Sequence, residues 1–364
     1  MRFLILGFGK IGEAIADYLQ KYEVGIVDSN EEALKKAKKS GFEVYNENIT
    51  KDSIIDIMKR YDCVISAVTY KFNYELAKKA LKAKTNFCDL GGNDTIVDKE
   101  LSLHEEAKKQ EITILPDCGL APGLADVLAA FAYSENCREI RMRVGGLPQT
   151  PQGALKYKIV FSPEGLINEY VEKVRIIKNS KIEYVDPLTG LEDIKFENKL
   201  YEAFYTSGGT STLPKTFESK LDYLDYKTVR FPGHCNLIKL LLELGFADKE
   251  EIEIDGKLIA PREMLVYLLS KNLSYESKDM VLLRVTAEGE RRKIFELIDY
   301  EKEFTAMART TAYPAALSSI LITESEIKGA MPQEVLIPKL ITEKRYLKEL
   351  EKKDIIIKKK IEKI

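Results

Sequence analysis

Residues 1–12, MRFLILGFGKIG, decide how this chain reads. Phe3 to Leu6 is a short apolar strand that runs into Gly7-Phe8-Gly9-Lys10-Ile11-Gly12. A helix follows, with Ile15, Ala16 and Leu19 on its apolar side. Glycine at these three positions suits a dinucleotide-binding turn. Gly7 allows the tight turn, Gly9 lets a pyrophosphate lie on bare main chain, and Gly12 lets the helix pack close to the sheet. Free N–H groups at the helix start, around Lys10 and Ile11, favour bound phosphates. A second strand, Val24 to Val27, ends in Asp28, about 20 residues past the first glycine, where a ribose diol is gripped.

The alternation continues to about residue 135. Strands are expected at Phe42–Tyr45, Cys63–Ala67, Asn86–Leu90 and Ile112–Leu115, and helices at Asn30–Ser40, Asp52–Arg60, Tyr74–Ala83, Leu101–Gln110 and Leu124–Tyr133. Short strands spaced by helices indicate a doubly wound parallel sheet of the Rossmann kind, with ligands at the carboxyl ends of the strands. The expected cofactor residues are therefore Gly7, Gly9, Lys10, Ile11, Gly12, Asp28, Ser29, Ala67, Val68, Thr69, Gly91 and Asn93. Strand-to-helix turns favour such residues in any protein, which is the plainer reading. Asp28 accepts from ribose hydroxyls and repels a 2′-phosphate, and Ser29, Asn30 and Glu31 supply no arginine to rescue one. NAD is expected rather than NADP.

From about residue 139 the rhythm changes to α+β. Short strands are expected at 138–148, Tyr157–Phe161, Val174–Ile177, Ile182–Val185, Glu202–Thr206, Lys227–Arg230 and Met280–Thr286. Helices are expected at Gly165–Val171, Leu213–Tyr223, Asn236–Leu244 and Pro261–Leu269. Residues 305–323 read as a helix that returns to the first domain, and 344–364 as a charged tail. The domains expected are 1–137, 138–303 and 304–364.

Bulk composition narrows the function. A net charge of −2 gives no electrostatic case for nucleic acid or an anionic membrane. No leader opens the chain, and no apolar run approaches the ~20 residues that span a bilayer, so a soluble cytoplasmic protein is expected. The five cysteines, Cys63, Cys88, Cys118, Cys137 and Cys235, are scattered without a CxxC, and only two histidines occur. Free thiols and no metal are expected.

Two stretches carry candidate chemistry. Asp117-Cys118-Gly119-Leu120-Ala121-Pro122-Gly123 follows a strand and opens a helix. Such an elbow sets Asp117 and Cys118 near a nicotinamide; a strained turn around a packed cysteine gives the same pattern. Arg230-Phe231-Pro232-Gly233-His234 is the second stretch. His234 is the expected proton-transfer group, unless it satisfies a turn carbonyl. His104, beside Glu105 and Glu106, is expected at the surface. Substrate binding is expected from Lys156, Tyr157, Thr206, Arg230 and Arg309, since an arginine fork suits an α-carboxylate. Asp117 or Glu164 would receive an ammonium. Residues 206–212, TSGGTST, read as a closing loop or as a turn.

These motifs together resemble the saccharopine dehydrogenase superfamily, most closely its lysine 6-dehydrogenase branch. The resemblance rests on GFGKIG, on AVTYKFNYELAKKAL followed by CDLGGN, on LPDCGLAPG, on GGLPQTPQGALKYKIVFSPEGLINEY and on TVRFPGH, over residues 1 to about 235. It implies a Rossmann domain, an inserted substrate and dimerisation domain, and a C-terminal return to the first domain. It also implies NAD-dependent oxidative deamination of the lysine 6-amino group to 2-aminoadipate 6-semialdehyde. Asp117, Cys118 and His234 would then fall at the active-site cleft, and the chain would form a homodimer or higher homo-oligomer. Thr69 stands where relatives are expected to have proline. The alternatives are reductive condensation of the saccharopine or carboxynorspermidine type, and a nucleotide-sensing protein without turnover.

Overall fold

In the computed structural model, which describes residues 1–160 and 162–363, the strand–helix alternation closes into a parallel sheet. Its strands in chain order are β1 (Arg2–Leu6), β2 (Glu23–Asp28), β3 (Glu43–Asn46), β4 (Cys63–Ser66), β5 (Asn86–Asp89) and β6 (Thr113–Leu115). Their spatial order is β3-β2-β1-β4-β5-β6, with Gly329–Ala330 added outside β6. All these pairings are parallel. The winding therefore reverses between β1 and β4, which is the dinucleotide-binding order. Phe3, Leu4, Ile5 and Leu6 are all fully buried, as a strand covered on both faces requires. Leu6 pairs with Val27 and with Ser66, so the ends of β1, β2 and β4 are level.

The chain divides into two compact units. The first comprises 1–134, 211–216 and 308–358; the second comprises 135–210, 217–307 and 359–364. The long helix Ala306–Glu324 and strand Gly329–Ala330 bring the C-terminal segment onto the first unit's sheet. Residues 211–216 join that unit through hydroxyls. Ser211 donates to Asp117, while Thr212 and Thr216 donate to Glu334 at 3.1 and 2.6 Å.

The second unit is built on a mixed sheet. Glu139–Pro148 runs parallel to Tyr223–Arg230 on one side and antiparallel to Asp279–Glu288 on the other. Lys199–Tyr205 and Glu192–Phe196 extend one edge, and Arg291–Tyr300 and Ile357–Lys363 the other. Helices Pro163–Val171, His234–Glu243 and Pro261–Asn272 bury Leu166, Ile167, Tyr170, Cys235, Ile238, Leu265 and Leu269 in a core shared with Leu147, Phe204 and Val229.

Several local expectations need correction. Residues 157–160 form no strand, and Phe161 lies outside the described residues. The helix expected over Leu213–Tyr223 stops at Phe217, because Ser219 turns left-handed (φ +62°) ahead of the strand at Tyr223. The helix expected over Leu101–Gln110 is two, Asp94–Leu101 and His104–Lys109, the first capped by Asn93. His104 is half-buried, and its Nδ1 lies 2.7 Å from the Ala330 carbonyl oxygen. Strands Glu192–Phe196 and Arg291–Tyr300 went unread, since their charged outward residues dilute the apolar alternation. Among the described residues, no helix is long and apolar enough to cross a membrane.

Candidate functional site

The glycine turn has the shape its sequence implies. Gly7 has φ +94°, and a Cβ on it would meet the Ala67 carbonyl oxygen and the Val68 side chain, both at 2.9 Å. A Cβ on Gly12 would overlap the Gly7 carbonyl oxygen, whereas one on Gly9 would meet nothing within 4 Å. Helix Lys10–Tyr18 starts at Gly9 with no side-chain cap, so among the described residues no capping side chain takes its first N–H groups. Asp28 Oδ2 accepts from the Phe8 N–H (2.7 Å) and Oδ1 from the Asn30 N–H (2.8 Å), which ties the turn to the end of β2. This open main chain, uncapped helix and neighbouring acid fit a dinucleotide. Ser29 and Thr69 are exposed, and Ala67, Val68 and Gly91 are half-buried around the strand ends. Asn93 spends its side chain on capping, accepting from the Ile96 N–H at 3.2 Å.

The two crowded and open glycines separate folding from binding. Gly12→Ala is expected to cost about 1–3 kcal/mol by overpacking, and Gly9→Ala to stay within about 0.5 kcal/mol of the parent. Gly9→Ala should instead weaken dinucleotide affinity. Urea unfolding and nucleotide titration of the two variants check this; equal destabilisation by both would contradict it.

At the ends of β5 and β6 the first unit collects buried carboxyls. Asp117 adopts φ +61°, a left-handed conformation that Asp tolerates better than most side chains. It is 3 % exposed. Its Oδ2 accepts from Ser211, while Oδ1 has no hydrogen-bond partner among the described residues and lies where a Cβ of Gly91 would be. Burial, then the Asp89 carboxylate, push Asp117 well above the usual carboxyl range. Glu100 is driven up by burial and then by Asp89. Asp89 receives the Gly91 N–H at 2.6 Å. Cys118 is fully buried, its thiol 3.2 Å from the Leu115 carbonyl oxygen, and burial pushes it up. That environment is opposite to the one that makes a nucleophilic thiolate, so the expected chemistry of Cys118 is corrected to packing.

In the second unit a hydrogen-bonded chain runs from Arg230 to His234. The His234 Nδ1 lies 3.0 Å from the Leu155 carbonyl oxygen, which only accepts, so Nδ1 carries the hydrogen. Nε2 then accepts a hydrogen bond from the Tyr170 hydroxyl (3.0 Å), and the Tyr170 oxygen accepts from Arg230 Nε (3.4 Å). His234 is 1 % exposed, and Tyr157, Tyr170 and Phe204 lie with ring centroids 5.4, 6.0 and 6.3 Å from its own. Burial, then Arg230, push its pKa down to about 3. A neutral ring with both nitrogens engaged orients Tyr170 and is unsuited to the proton transfer expected of it. The turn before it is held by Glu202, whose carboxylate accepts the Gly233 and Cys235 N–H groups at 2.7 and 2.6 Å.

Arg230 itself is 3 % exposed, yet among the described residues it has no carboxylate within ion-pair distance. Besides Tyr170 it donates only to the Val229 carbonyl (3.0 Å), and its guanidinium lies 4.6 Å from the Tyr157 ring centre. Glu169, on the same helix as Tyr170, interacts electrostatically with it. Sequence reasoning passed over Glu169.

The other expected substrate residues fall elsewhere. Lys156 is exposed, with Nζ 3.3 Å from the Pro232 carbonyl oxygen. Thr206 is buried and bonded to the Thr228 hydroxyl at 2.8 Å. Arg309 belongs to the first unit, where Nη2 donates to the Lys353 and Asp354 carbonyls at 3.1 Å each, at the end of helix Glu343–Glu351. It anchors that helix and is withdrawn from the substrate set. Glu164 is exposed in the first turn of helix Pro163–Val171.

Residues 3–115 match the saccharopine dehydrogenase NADP binding domain, and residues 119–356 the saccharopine dehydrogenase C-terminal domain. Saccharopine dehydrogenase [NADP(+), L-glutamate-forming] of Saccharomyces cerevisiae is 26% identical over 297 residues, covering 75% of this chain and 65% of that protein. Alpha-aminoadipic semialdehyde synthase of Arabidopsis thaliana is 26% identical over 353 residues, covering 85% of this chain and 32% of that protein. The chain thus spans less than two thirds of the first relative and less than half of the second. A solved structure, apo saccharopine dehydrogenase (L-Glu forming) from Saccharomyces cerevisiae, shares the fold with a TM-score of 0.80 at 21% identity, covering 99% of each chain. With both domains matched in series, and the second match alone exceeding half of its length, the chain belongs to the saccharopine dehydrogenase family.

Proposed function

We propose that the protein is an NAD-dependent oxidoreductase acting on the CH–NH2 group of an amino acid, with the 6-amino group of L-lysine as the leading substrate. The observation that carries this reading is Arg230, a buried guanidinium whose charge no protein carboxylate matches at contact distance. A buried cation left in that state calls for an anion, and an α-carboxylate fits the planar fork. Lysine leads because of the lysine 6-dehydrogenase resemblance.

Gly7, Gly9 and Gly12 would seat the pyrophosphate and Asp28 the ribose. When bound, the dinucleotide supplies the hydride acceptor. This chain's residues supply the rest. Arg230, aligned by Tyr170 and His234, orients the substrate carboxylate. On the first unit, burial raises the carboxyl of Asp117, whose Oδ1 has no hydrogen-bond partner among the described residues. The preference for NAD is supported by the charges beside Asp28. Glu31 and Glu32 occupy the first turn of the next helix, Lys36 is bonded to Glu13 at 2.6 Å, and Lys35 lies 3.8 Å from Glu31. The first turn of that helix offers a 2′-phosphate two carboxylates and no cation.

NADH formation with lysine, saccharopine, carboxynorspermidine and related diamines, at pH about 9–10 where a free amine is available, tests the reaction. The expected result is turnover with lysine, with kcat/KM for NAD at least about tenfold above that for NADP, a margin that Asp28→Ser narrows. Silence with every amine would defeat the reading. The second reading, reductive condensation of an amine with a keto acid, is favoured by the name of the yeast relative, a saccharopine dehydrogenase. It requires two carbon substrates in the reductive direction.

A further inference from the structure

We propose that the first unit carries a second ligand site, a cavity that binds a small monocarboxylate with an apolar body, apart from the dinucleotide turn. The inference does not depend on which amine the protein oxidises.

The cavity holds about 410 Å³, inside the range of roughly 300–1,000 Å³ for small-molecule sites. It lies where three segments of the first unit meet. These are the end of helix Lys10–Tyr18 with the turn after it, the last two turns of helix Ala306–Glu324, and helix Glu343–Glu351 with the residues around it. The dinucleotide turn stands at the other end of helix Lys10–Tyr18, about 13 Å away by the helical rise of its nine residues.

The wall has an apolar part and a polar part. Leu317, Ile320 and Leu321 follow helical spacing along one face and are buried, as is Ile341. The polar groups divide into spent and unspent. Lys352 is bonded to Glu349 at 2.8 Å. Lys353 lies 3.5 Å from Asp17 and over the rings of Tyr18 and Tyr313, at 5.4 and 5.9 Å. Arg345 and Glu324, both exposed, make no hydrogen bond or ion pair among the described residues. Lys21 only lies over the Tyr22 ring, at 5.0 Å.

Tyr18 decides the reading. It is 8 % exposed and lines the cavity, yet its hydroxyl makes no hydrogen bond among the described residues. Buried polar groups are nearly always bonded, so a hydroxyl left without a protein partner at a cavity wall calls for a ligand atom. Its ring is held 5.4 Å from that of Tyr313. Burial, then Glu349, push its pKa up, so the hydroxyl keeps its proton and can donate.

Arg345 and Lys21 only donate, and Tyr18 has a proton to give. A carboxylate accepts from all three. The apolar face of helix Ala306–Glu324 asks for a hydrocarbon body, which inorganic phosphate lacks. Glu324 continues the same face at its end and repels a second negative charge, so the ligand carries one.

The experiment is calorimetric titration of the full chain with 3-phenylpropionate, with and without NAD, in the wild type, Y18F and R345Q. Inorganic phosphate, phenylsuccinate and the neutral 3-phenylpropionamide serve as comparison probes. The expected result is saturable binding of the monocarboxylate alongside NAD, tighter than that of each comparison probe. Y18F should weaken it about tenfold, as loss of a buried hydrogen bond to a charged group does. R345Q should weaken it about threefold or more, since that guanidinium stays in reach of water. If Y18F folds poorly, R345Q, changed at an exposed position, carries the comparison. Absence of saturable binding overturns the proposal. So does displacement of the acid by NAD, which would put it in the dinucleotide turn. Equal affinity for the amide, or an affinity unmoved in both variants, overturns it as well, because the anion would then not be held by this wall.

Discussion

Arg230→Ala is expected to lower kcat/KM for the amino-acid substrate by about 10²- to 10³-fold, within the range for losing one partner of a desolvated charge pair. NAD affinity should not move. Arg230→Lys keeps the charge but loses the planar fork, so it should fall between. The same side chain should be a burden on the fold. Its guanidinium is 3 % exposed, and its compensation is one long hydrogen bond to Tyr170, one to the Val229 carbonyl, the face of Tyr157 and the Glu169 charge beyond ion-pair distance. Burying a cation without a carboxylate partner costs free energy that a bound substrate would return. Arg230→Met should therefore unfold at a higher temperature than the parent while losing activity, the usual exchange at a functional site. Adding the true substrate should stabilise the wild type and leave Arg230→Met unchanged. Steady-state kinetics and thermal unfolding with and without amino acid check both halves. A destabilised Arg230→Met that keeps its activity would make Arg230 a packing residue.

What the sequence made legible was local. The glycine turn, the apolar run before it and the acid at Asp28 lie within 28 residues, and each has its own steric or electrostatic reason. Residues 305–323 read as a helix rich in small residues, and a helix spans Ala306–Glu324, most of it in the first unit. The second unit was harder. Ranking His234 as a base followed from its rarity in the chain, but rarity carries no information about what surrounds a ring. The Leu155 carbonyl and Tyr170 hydroxyl that occupy its nitrogens are 79 and 64 residues away. Glu169 was one of 58 acids, and only Arg230, on another element, distinguishes it. Arg309 was assigned by charge alone, and the helix end it caps is 44 residues further on. Cys118 sat in a glycine-rich elbow, yet its packing is set by strands β5 and β6 rather than by the elbow.

Asp225→Ala should be the most damaging single change to the second unit's framework, at about 3–5 kcal/mol, because it strips a buried cation of its fully buried carboxylate partner. Asp225 is fully buried and accepts from two nitrogens of Arg143, at 2.7 and 3.1 Å, and from the Tyr223 hydroxyl at 2.9 Å. Arg143 is itself 5 % exposed. It also bonds Glu192, which Lys227 shares, and these two cations hold the Glu192 carboxyl below its usual range despite partial burial. A carboxyl lowered in the folded state stabilises above its unfolded pKa of about 4.3. That contribution is lost as pH falls through the folded value, so the unit should soften in acid below about 4.3. Without Asp225, Arg143 keeps only this more exposed partner. Urea unfolding of Asp225→Ala, Arg143→Met and the double variant Arg143→Met/Asp225→Leu measures the coupling. The double variant should recover much of the loss, since apolar replacements remove both desolvated charges at once. A single-variant cost under about 1 kcal/mol would place the pair among the weakly coupled surface bridges. The consequence reaches the site through the backbone: Asp225 and Arg230 share the strand Tyr223–Arg230, which pairs with the strand that carries Arg143. The fully compensated ion pair near the strand's start fixes the register on which the uncompensated guanidinium at its end is carried.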